Sequence, residues 1–528
     1  MLKKLLSLLF IALPYLSFAQ EKGLDQQIDE IFGQATGWFV NFIFYQIPFS
    51  DDIKIYWVLF PLILGATYFT FYFRFINFRG FMTSIHIIRG QYDDIDHHEA
   101  LPGVTEASPS GDIQDTIAIE GHEGEVSHFQ ALTAALSATV GLGNIAGVAI
   151  AVSIGGAGAT FWMIVAGFLG MASKFVECTL GVKYRDIGPD GTVYGGPMYY
   201  LTKGLKSKGF EKLGKVLAVL FAIFVIGGSF GGGNMFQVNQ AFQLIENITG
   251  GTESVLYGKG WLFGIIMAIF VGIVIIGGIK KIASVTDKIV PFMVVIYVSA
   301  SIFVLIAKYD MIGDAFLQIY NGAFSPEGVV GGAIGVLVQG FRRAAFSNEA
   351  GVGSASIAHS AVKTKYAASE GMVALLEPFI DTVVVCTMTA LVLVITGNVN
   401  PENASLNDAQ AILLTSGAFE SVISWFPYVL TVAVVLFAFS TMISWSYYGF
   451  QGWAYLFGRS KKMEYTYKIL FLIFVVIGAA ASLGSVIGFS DAMIFAMMVP
   501  NMVGLVILAP TVKKELNKYL SAIKSKKS

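Results

Sequence analysis

Residues 133–149 read TAALSATVGLGNIAGVA, and a conflict inside them decides how the chain folds. The flanking residues are apolar enough to lie in a bilayer. The centre, Thr139-Val140-Gly141-Leu142-Gly143-Asn144, is a poor continuous helix. Each Gly costs up to about 1 kcal/mol of helix propensity relative to Ala, and Asn144 sets an amide where lipid would penalise it. A backbone that opens at bilayer depth survives only where protein or a water-filled cavity surrounds it. Opened there, it frees N–H groups for a carboxylate and C=O groups for a cation. The competing reading is a packing seam, since Gly and Ala let helices approach closely. The stretch alone leaves both open.

Of the 528 residues, 55% are hydrophobic and only 13% charged, as in a polytopic membrane protein rather than a soluble enzyme with one large core. The net charge of −2 says nothing about nucleic acid, and no basic-aromatic stripe suggests a nucleic-acid partner. Cys178 and Cys386 both fall in apolar segments and read as buried small side chains. Two cysteines exclude a disulfide scaffold, and no metal-ligand spacing exists.

At the N-terminus, Lys3 and Lys4 precede the apolar run Leu5–Leu13, Pro14 and a small-x-small site, Ser17-Phe18-Ala19. This reads as a signal peptide over 1–19, an uncleaved interfacial helix being the alternative. Residues 20–52 then form an extracytoplasmic interfacial segment and 53–75 a first, extra transmembrane helix. Residues 76–128 form a cytoplasmic loop, with an acidic insert at 91–127. His97, His98, His122 and His128, irregularly spaced among acids, read as solvated loop residues.

Apolar segments follow at 129–153, 159–183, 214–245, 260–279, 284–306, 330–361, 371–397, 425–449, 467–488 and 490–511. With the first they make about eleven spans, each near the 20 residues that a bilayer requires. Lys and Arg cluster on alternate sides, up to the basic tail 512–528. That places the mature N-terminus outside and the C-terminus in the cytoplasm of a bacterial inner membrane. Setting the first span aside leaves two sets of five, 129–306 and 307–511. The first member of each, 129–153 and 330–361, is interrupted by Gly and polar residues. Five being odd, the halves enter the membrane from opposite sides. Paired broken segments in inverted halves point to a transport site near the midplane.

Several polar residues within spans are candidates. Arg342, Arg343 and Glu349 lie in the second broken segment and either pair with one another or serve function. Phe346 precedes the expected break at Ser347-Asn348 and could cover a small ligand. Asn234, Gln237 and Gln240 share a helical face by i, i+3 spacing, as ligands or as interhelical glue. Ser440 and Thr441 could complete an oxygen cage for Na+, or bond back to their own helix. Trp445, one turn on, could wall a pocket. Lys174 and Glu177 read as a local ion pair. Glu377 and Asp381 read as members of a cytoplasmic-side network, with proton coupling the sharper alternative.

Five motifs carry a resemblance: TVGLGNIAG at 139–147, GGAGATFWM at 155–163, GGPMYY at 195–200, FSNEAGVGS at 346–354 with Ile357-Ala358-His359, and WSYYG at 445–449. Over most of 53–511 the chain resembles the alanine/glycine:cation symporter family. The resemblance implies an all-α polytopic protein with the leucine-transporter-type inverted repeat of five plus five core helices and one extra N-terminal transmembrane helix. It also implies sodium-coupled uptake of alanine or glycine, some members accepting the D-enantiomer, with Na+ as coupling ion and no other cofactor. By motif, Thr139, the Gly141–Gly143 backbone, Gln237, Phe346 and Trp445 would line the substrate site, and Asn144 would serve substrate or a second cation. The carbonyls of Ser137 and Val140 and the hydroxyls of Ser440 and Thr441 would hold sodium. Departures from the family pattern are Ile164 in place of Trp, Phe450 in place of an acidic residue, and the acidic insert.

The expectation is a secondary active transporter that imports a small neutral amino acid with Na+ across a lipid bilayer. A proton-driven symporter, or one for another small solute, is the rival, and protons would implicate Glu349, Glu377 or Asp381. An enzyme would need a nucleophile–base pair or metal cluster within the spans, and the sequence offers neither. Two breaks meeting at mid-membrane suit an occluded site better than an open channel.

Overall fold

The computed structural model describes residues 24–48, 54–96, 124–188, 191–324, 332–397 and 411–527. The expected signal peptide, His97, His98, His122 and most of the acidic insert lie outside these residues. The described residues are helical apart from loops and two short antiparallel hairpins, Gln46–Pro48 with Lys54–Tyr56 and Asp186–Ile187 with Val193–Tyr194.

Helix α1 (Leu24–Ile43) packs along the last helix of the chain, and α2 (Leu59–Tyr72) follows the first hairpin. The first expected break is a bent pair, α3 (His128–Thr139) and α4 (Ala146–Gly155), meeting at 56°. Then come α5 (Ala159–Lys183), α6 (Glu211–Phe230), α7 (Phe236–Ile248), α8 (Gly260–Ile275), α9 (Gly278–Ala307) and α10 (Ile312–Phe324). The second broken segment is α11 (Gly332–Asn348) and α12 (Ala355–His359). The chain closes with α13 (Ala367–Thr396), α14 (Ala411–Glu420), α15 (Phe426–Phe457), α16 (Lys461–Ala480) and α17 (Leu483–Lys527).

Among the described residues seven helices are long and apolar enough to cross a bilayer, and the bent pair passes the same test taken together. The protein is thus an all-α polytopic membrane protein. Each apolar segment from residue 129 onward coincides with a helix or a broken pair. The largest shift is at the end, where 467–488 and 490–511 become 461–480 and 483–527. Hydropathy reports only the bilayer-deep part of a helix, so polar extensions such as 512–527 are invisible to it.

α3 lies between α9 and α15, and α4 packs on α11 and α14. α5 crosses α11 and α13, and α6 runs between α15 and α17. Both breaks are thereby enclosed: every residue from Ala131 to Val152 is buried. α1 is tied down by its acids. The Asp25 carboxylate accepts the Gly260 N–H (3.2 Å) at the start of α8, and Asp29 accepts both the N–H (3.1 Å) and the hydroxyl (2.7 Å) of Ser482, before α17. Carboxylates at helix N-termini satisfy orphan N–H groups and favour the dipole.

The second break differs from expectation. α11 stays helical through Asn348, and the chain unwinds only from Glu349 to Ser354. Glu349 (φ 54°), Gly351 (φ 82°) and Gly353 (φ 99°) all occupy the left-handed region. Glycine does so freely, whereas Glu349 is strained by about 1–3 kcal/mol. Phe346 therefore sits in the last helical turn rather than at the opening.

Candidate functional site

The site is built where the two broken segments meet α7, α13 and α15. α3 ends at Val140 (ψ 85°), whose N–H still reaches Leu136 O at 2.7 Å, and Gly141 is fully extended. The backbone freed by the bend is taken up by side chains. Asn144 Oδ1 accepts the Gly141 N–H (2.9 Å), and Gln237 Oε1 accepts the Leu142 N–H (3.2 Å). Gln237 in turn donates to Gly232 O (2.9 Å) within Gly231–Met235, a π-helical turn between α6 and α7. A Cβ on Gly141 would stand 2.6 Å from Thr441 Oγ1 and 3.2 Å from Gln237 Oε1, so only glycine fits.

Ser137, Ser440 and Thr441 also converge. The Thr441 hydroxyl donates to Ser137 O (2.9 Å), and the Ser137 hydroxyl donates to Ser440 O (2.8 Å) and accepts from Ser444 (3.0 Å). Val140 is one helical turn beyond Leu136, next to Gly141. The Ser440 hydroxyl instead donates to Phe437 O (3.0 Å) on its own helix, with Met293 Sδ at 3.7 Å. Thr139 likewise donates back to Ala135 O (3.3 Å).

Phe346 and Trp445 stand on either side of the glycine run. Phe346 lies 3.6 Å from where a Cβ on Gly232 would be and 3.5 Å from one on Gly143, and it meets Phe236 edge-on at 5.2 Å. Trp445 packs on Gly233, where a Cβ would fall 2.1 Å from its Cγ. Gly143 thus touches Phe346, while Trp445 is held by the π-turn. Asn234 does not share the Gln237 face: it donates to Phe471 O (2.8 Å) on α16, and Gln240 reaches only Asn239 (3.4 Å). The π-turn carries the helix past the i, i+3 register.

Asp381 is the residue that sequence pattern misplaced. Its carboxylate lies against both broken segments, accepting Asn144 Nδ2 (2.6 Å), the Ser347 hydroxyl (2.7 Å) and the Thr382 hydroxyl (2.7 Å). Cys386 Sγ is 3.3 Å from both Asn144 and Ser347. Glu377, one turn earlier, faces a different cluster. Lys174 Nζ is 2.8 Å from Glu377 and 3.8 Å from Glu177, so its closer partner is not the local one. His359 lies 3.4 Å from Glu377 and 2.5 Å from Glu370, which also bonds His128. His128 is therefore a buried member of an ionic network, not a solvated loop residue. Arg342 and Arg343 do not pair with Glu349: both engage Asp491, Arg342 at 2.8 Å. Glu349 bonds Ser354.

The arrangement buries together the N–H groups of the first break under the Asn144 and Gln237 side-chain oxygens, the Ser137 carbonyl against the Thr441 hydroxyl, and the Asp381 carboxylate against both breaks. The sequence profile of the sodium:alanine symporter family matches residues 42–528. The sodium/alanine symporter AgcS of Methanococcus maripaludis is 42% identical over 401 residues, covering 76% of this chain and 85% of its own. The amino-acid carrier protein AlsT of Bacillus subtilis is 32% identical over 473 residues, 89% of this chain and 90% of its own. A solved structure, MhsT in complex with L-phenylalanine, superposes over 74% of this chain and 99% of that chain, at 14% identity and a TM-score of 0.48. The profile spans nearly the whole fold, both breaks included, and the chain belongs to the sodium:alanine symporter family.

Proposed function

We propose that the protein is a secondary active transporter that imports alanine, glycine and D-alanine together with Na+, by alternating access. The family supports amino-acid:cation symport. The carrying observation is the pair of bonds from Asn144 and Gln237 to the N–H groups of Gly141 and Leu142. Those side-chain oxygens hold the positions that an amino-acid carboxylate would take. A substrate carboxylate displacing Gln237 Oε1 frees that oxygen for the substrate ammonium, so one exchange serves both ends of the ligand. Phe346, packed on Gly143, would limit the substrate side chain to about a methyl group, and Trp445, packed on Gly233, would stiffen the glycine run. Rejection of one extra methylene is worth only about 1–3 kcal/mol, so selectivity against larger residues rests on steric exclusion.

Sodium would be held by the carbonyls of Ser137 and Val140 and the hydroxyls of Thr441 and Ser440, since carbonyls at an unwound helix end suit a coupling cation. The halves 129–306 and 307–511 would be the inverted repeats that rock around this site. The basic side of the spans would face the cytoplasm, with the mature N-terminus outside. Radiolabelled L-alanine uptake into proteoliposomes, under an inward gradient of either Na+ or H+, tests the proposal. Uptake driven by Na+ and competed by glycine supports it. Uptake driven by H+ alone moves coupling to the buried carboxylates and overturns the sodium assignment.

A further inference from the structure

We propose that a cavity at the end of α2, remote from the transport site, binds the phosphate-bearing headgroup of an anionic membrane lipid. The cavity holds about 340 Å³ and lies between α2, the turn after it, the start of α13 and the polar extension of α17. Arg74, Arg79 and Lys513 bring three positive charges to its lining, with the neutral donors Tyr72, Thr83 and Asn517 between them. Among the described residues no carboxylate pairs with any of the three cations. Lys513 sits 4.9 Å from the centre of the Tyr72 ring. Glu515, the nearer of the two acids on the same helix, is buried and turned away to Lys183 at 2.5 Å. The cavity is thus built to receive negative charge and supplies none itself.

The backbone gathers these cations by an unusual turn. Arg74 (φ 53°) and Phe75 (φ 56°) both adopt the left-handed conformation that bulky L-residues avoid, and the Phe75 N–H closes on Thr70 O at 2.7 Å. The reversal brings Arg74 and Arg79 to one opening while throwing Phe71, Phe75 and Phe78 outward. These rings are 63%, 43% and 58% exposed. Exposed apolar rings beside basic side chains at the end of an apolar helix suit the boundary between acyl chains and headgroups. The cations meet a phosphate while the rings meet acyl chains, and a free anion would have no use for the apolar rim. Basic pockets between helices take anionic headgroups in this way, each Lys or Arg near the surface contributing about 1 kcal/mol.

Native mass spectrometry of the full chain in detergent, titrated with phosphatidylglycerol, cardiolipin or phosphatidylcholine, tests the assignment. The Arg74→Gln/Arg79→Gln/Lys513→Gln variant runs beside a charge-matched control, Lys208→Gln/Lys212→Gln/Lys462→Gln. About fivefold in affinity per charge predicts on the order of a hundredfold loss of anionic-lipid binding in the first variant and a change within about twofold in the control. If the triple variant misfolds, Arg79→Gln and Lys513→Gln singly should each cost about fivefold. Equal retention of anionic lipid by wild type and triple variant overturns the proposal. Displacement of the lipid by millimolar inorganic phosphate, with equal thermal stabilisation by phosphate alone, also overturns it in favour of a soluble phosphate ligand.

Discussion

Two buried polar clusters lie one helical turn apart on α13, and they balance their charges in opposite ways. Asp381 is surrounded by the amide of Asn144 and the hydroxyls of Ser347 and Thr382, and among the described residues no Lys or Arg pairs with it. Glu377 and Glu370 are held by Lys174, His359 and His128. A carboxylate among neutral donors, deep in the protein, is costly unless it draws a cation or a proton from outside. A cluster that carries its own cations needs neither. The first is therefore suited to coupling, the second to holding α3, α5, α12 and α13 in register.

The harshest way to break this contrast is to remove the internal cation. Lys174→Met takes the lysine from between Glu377 and Glu177, leaving Glu377 to His359 and Glu177 to the Asn501 amide, and breaking a buried pair from one side costs about 3–5 kcal/mol. The expected result is a large drop in the thermal unfolding midpoint, most of it recovered in Lys174→Met/Glu377→Leu, where both partners are replaced by apolar groups. A Lys174→Met protein that unfolds like wild type would show that the network is not balanced by this lysine.

Asp381→Asn asks the reverse question. The amide keeps its neighbours within hydrogen-bond reach, so stability should change little. Asn144, bonded to Asp381, is the candidate for a second cation, and there a lost charged interaction of about 1.5–3 kcal/mol corresponds to about a tenfold to hundredfold rise in the Na+ concentration that half-saturates uptake. If the Na+ dependence stays as in wild type while the protein remains folded, Asp381 is a structural acceptor and the contrast with Glu377 fails.

How far these clusters can be read from sequence depends on whether the helix between two residues is regular. The Gly141 break is legible, because two glycines and an asparagine in an apolar run leave few alternatives, and the structure bends there. Asp381 is not. Spaced i, i+4 from Glu377, it reads as sharing a face, but Phe379–Cys386 is π-helical and the added width turns it to the opposite cluster. The same irregularity at Gly231–Met235 separates Asn234 from Gln237. Asp491 is silent for another reason. A lone acid in an apolar segment names no partner, and its pairing with Arg342 spans 149 residues of chain.

The smallest expected effect separates two neighbouring hydroxyls. Sequence pattern treats Ser440 and Thr441 alike, whereas the structure points them differently. Thr441 Oγ1 crosses to Ser137 O at 2.9 Å, joining α15 to the end of α3, while the Ser440 hydroxyl is spent on Phe437 O of its own helix. Thr441→Ala removes an interhelical bond and an oxygen from the proposed sodium cage, a loss of about 1–1.5 kcal/mol and so about a tenfold weaker Na+ dependence of uptake. Ser440→Ala removes a hydroxyl that bonds back along its helix and should stay within about twofold of wild type, since such bonds add little to helix stability. Equal losses would mean that the Ser440 hydroxyl swings off Phe437 O when sodium enters. The two residues would then act as one ligand pair, and the resting geometry around Thr441 would be only half of the bound site.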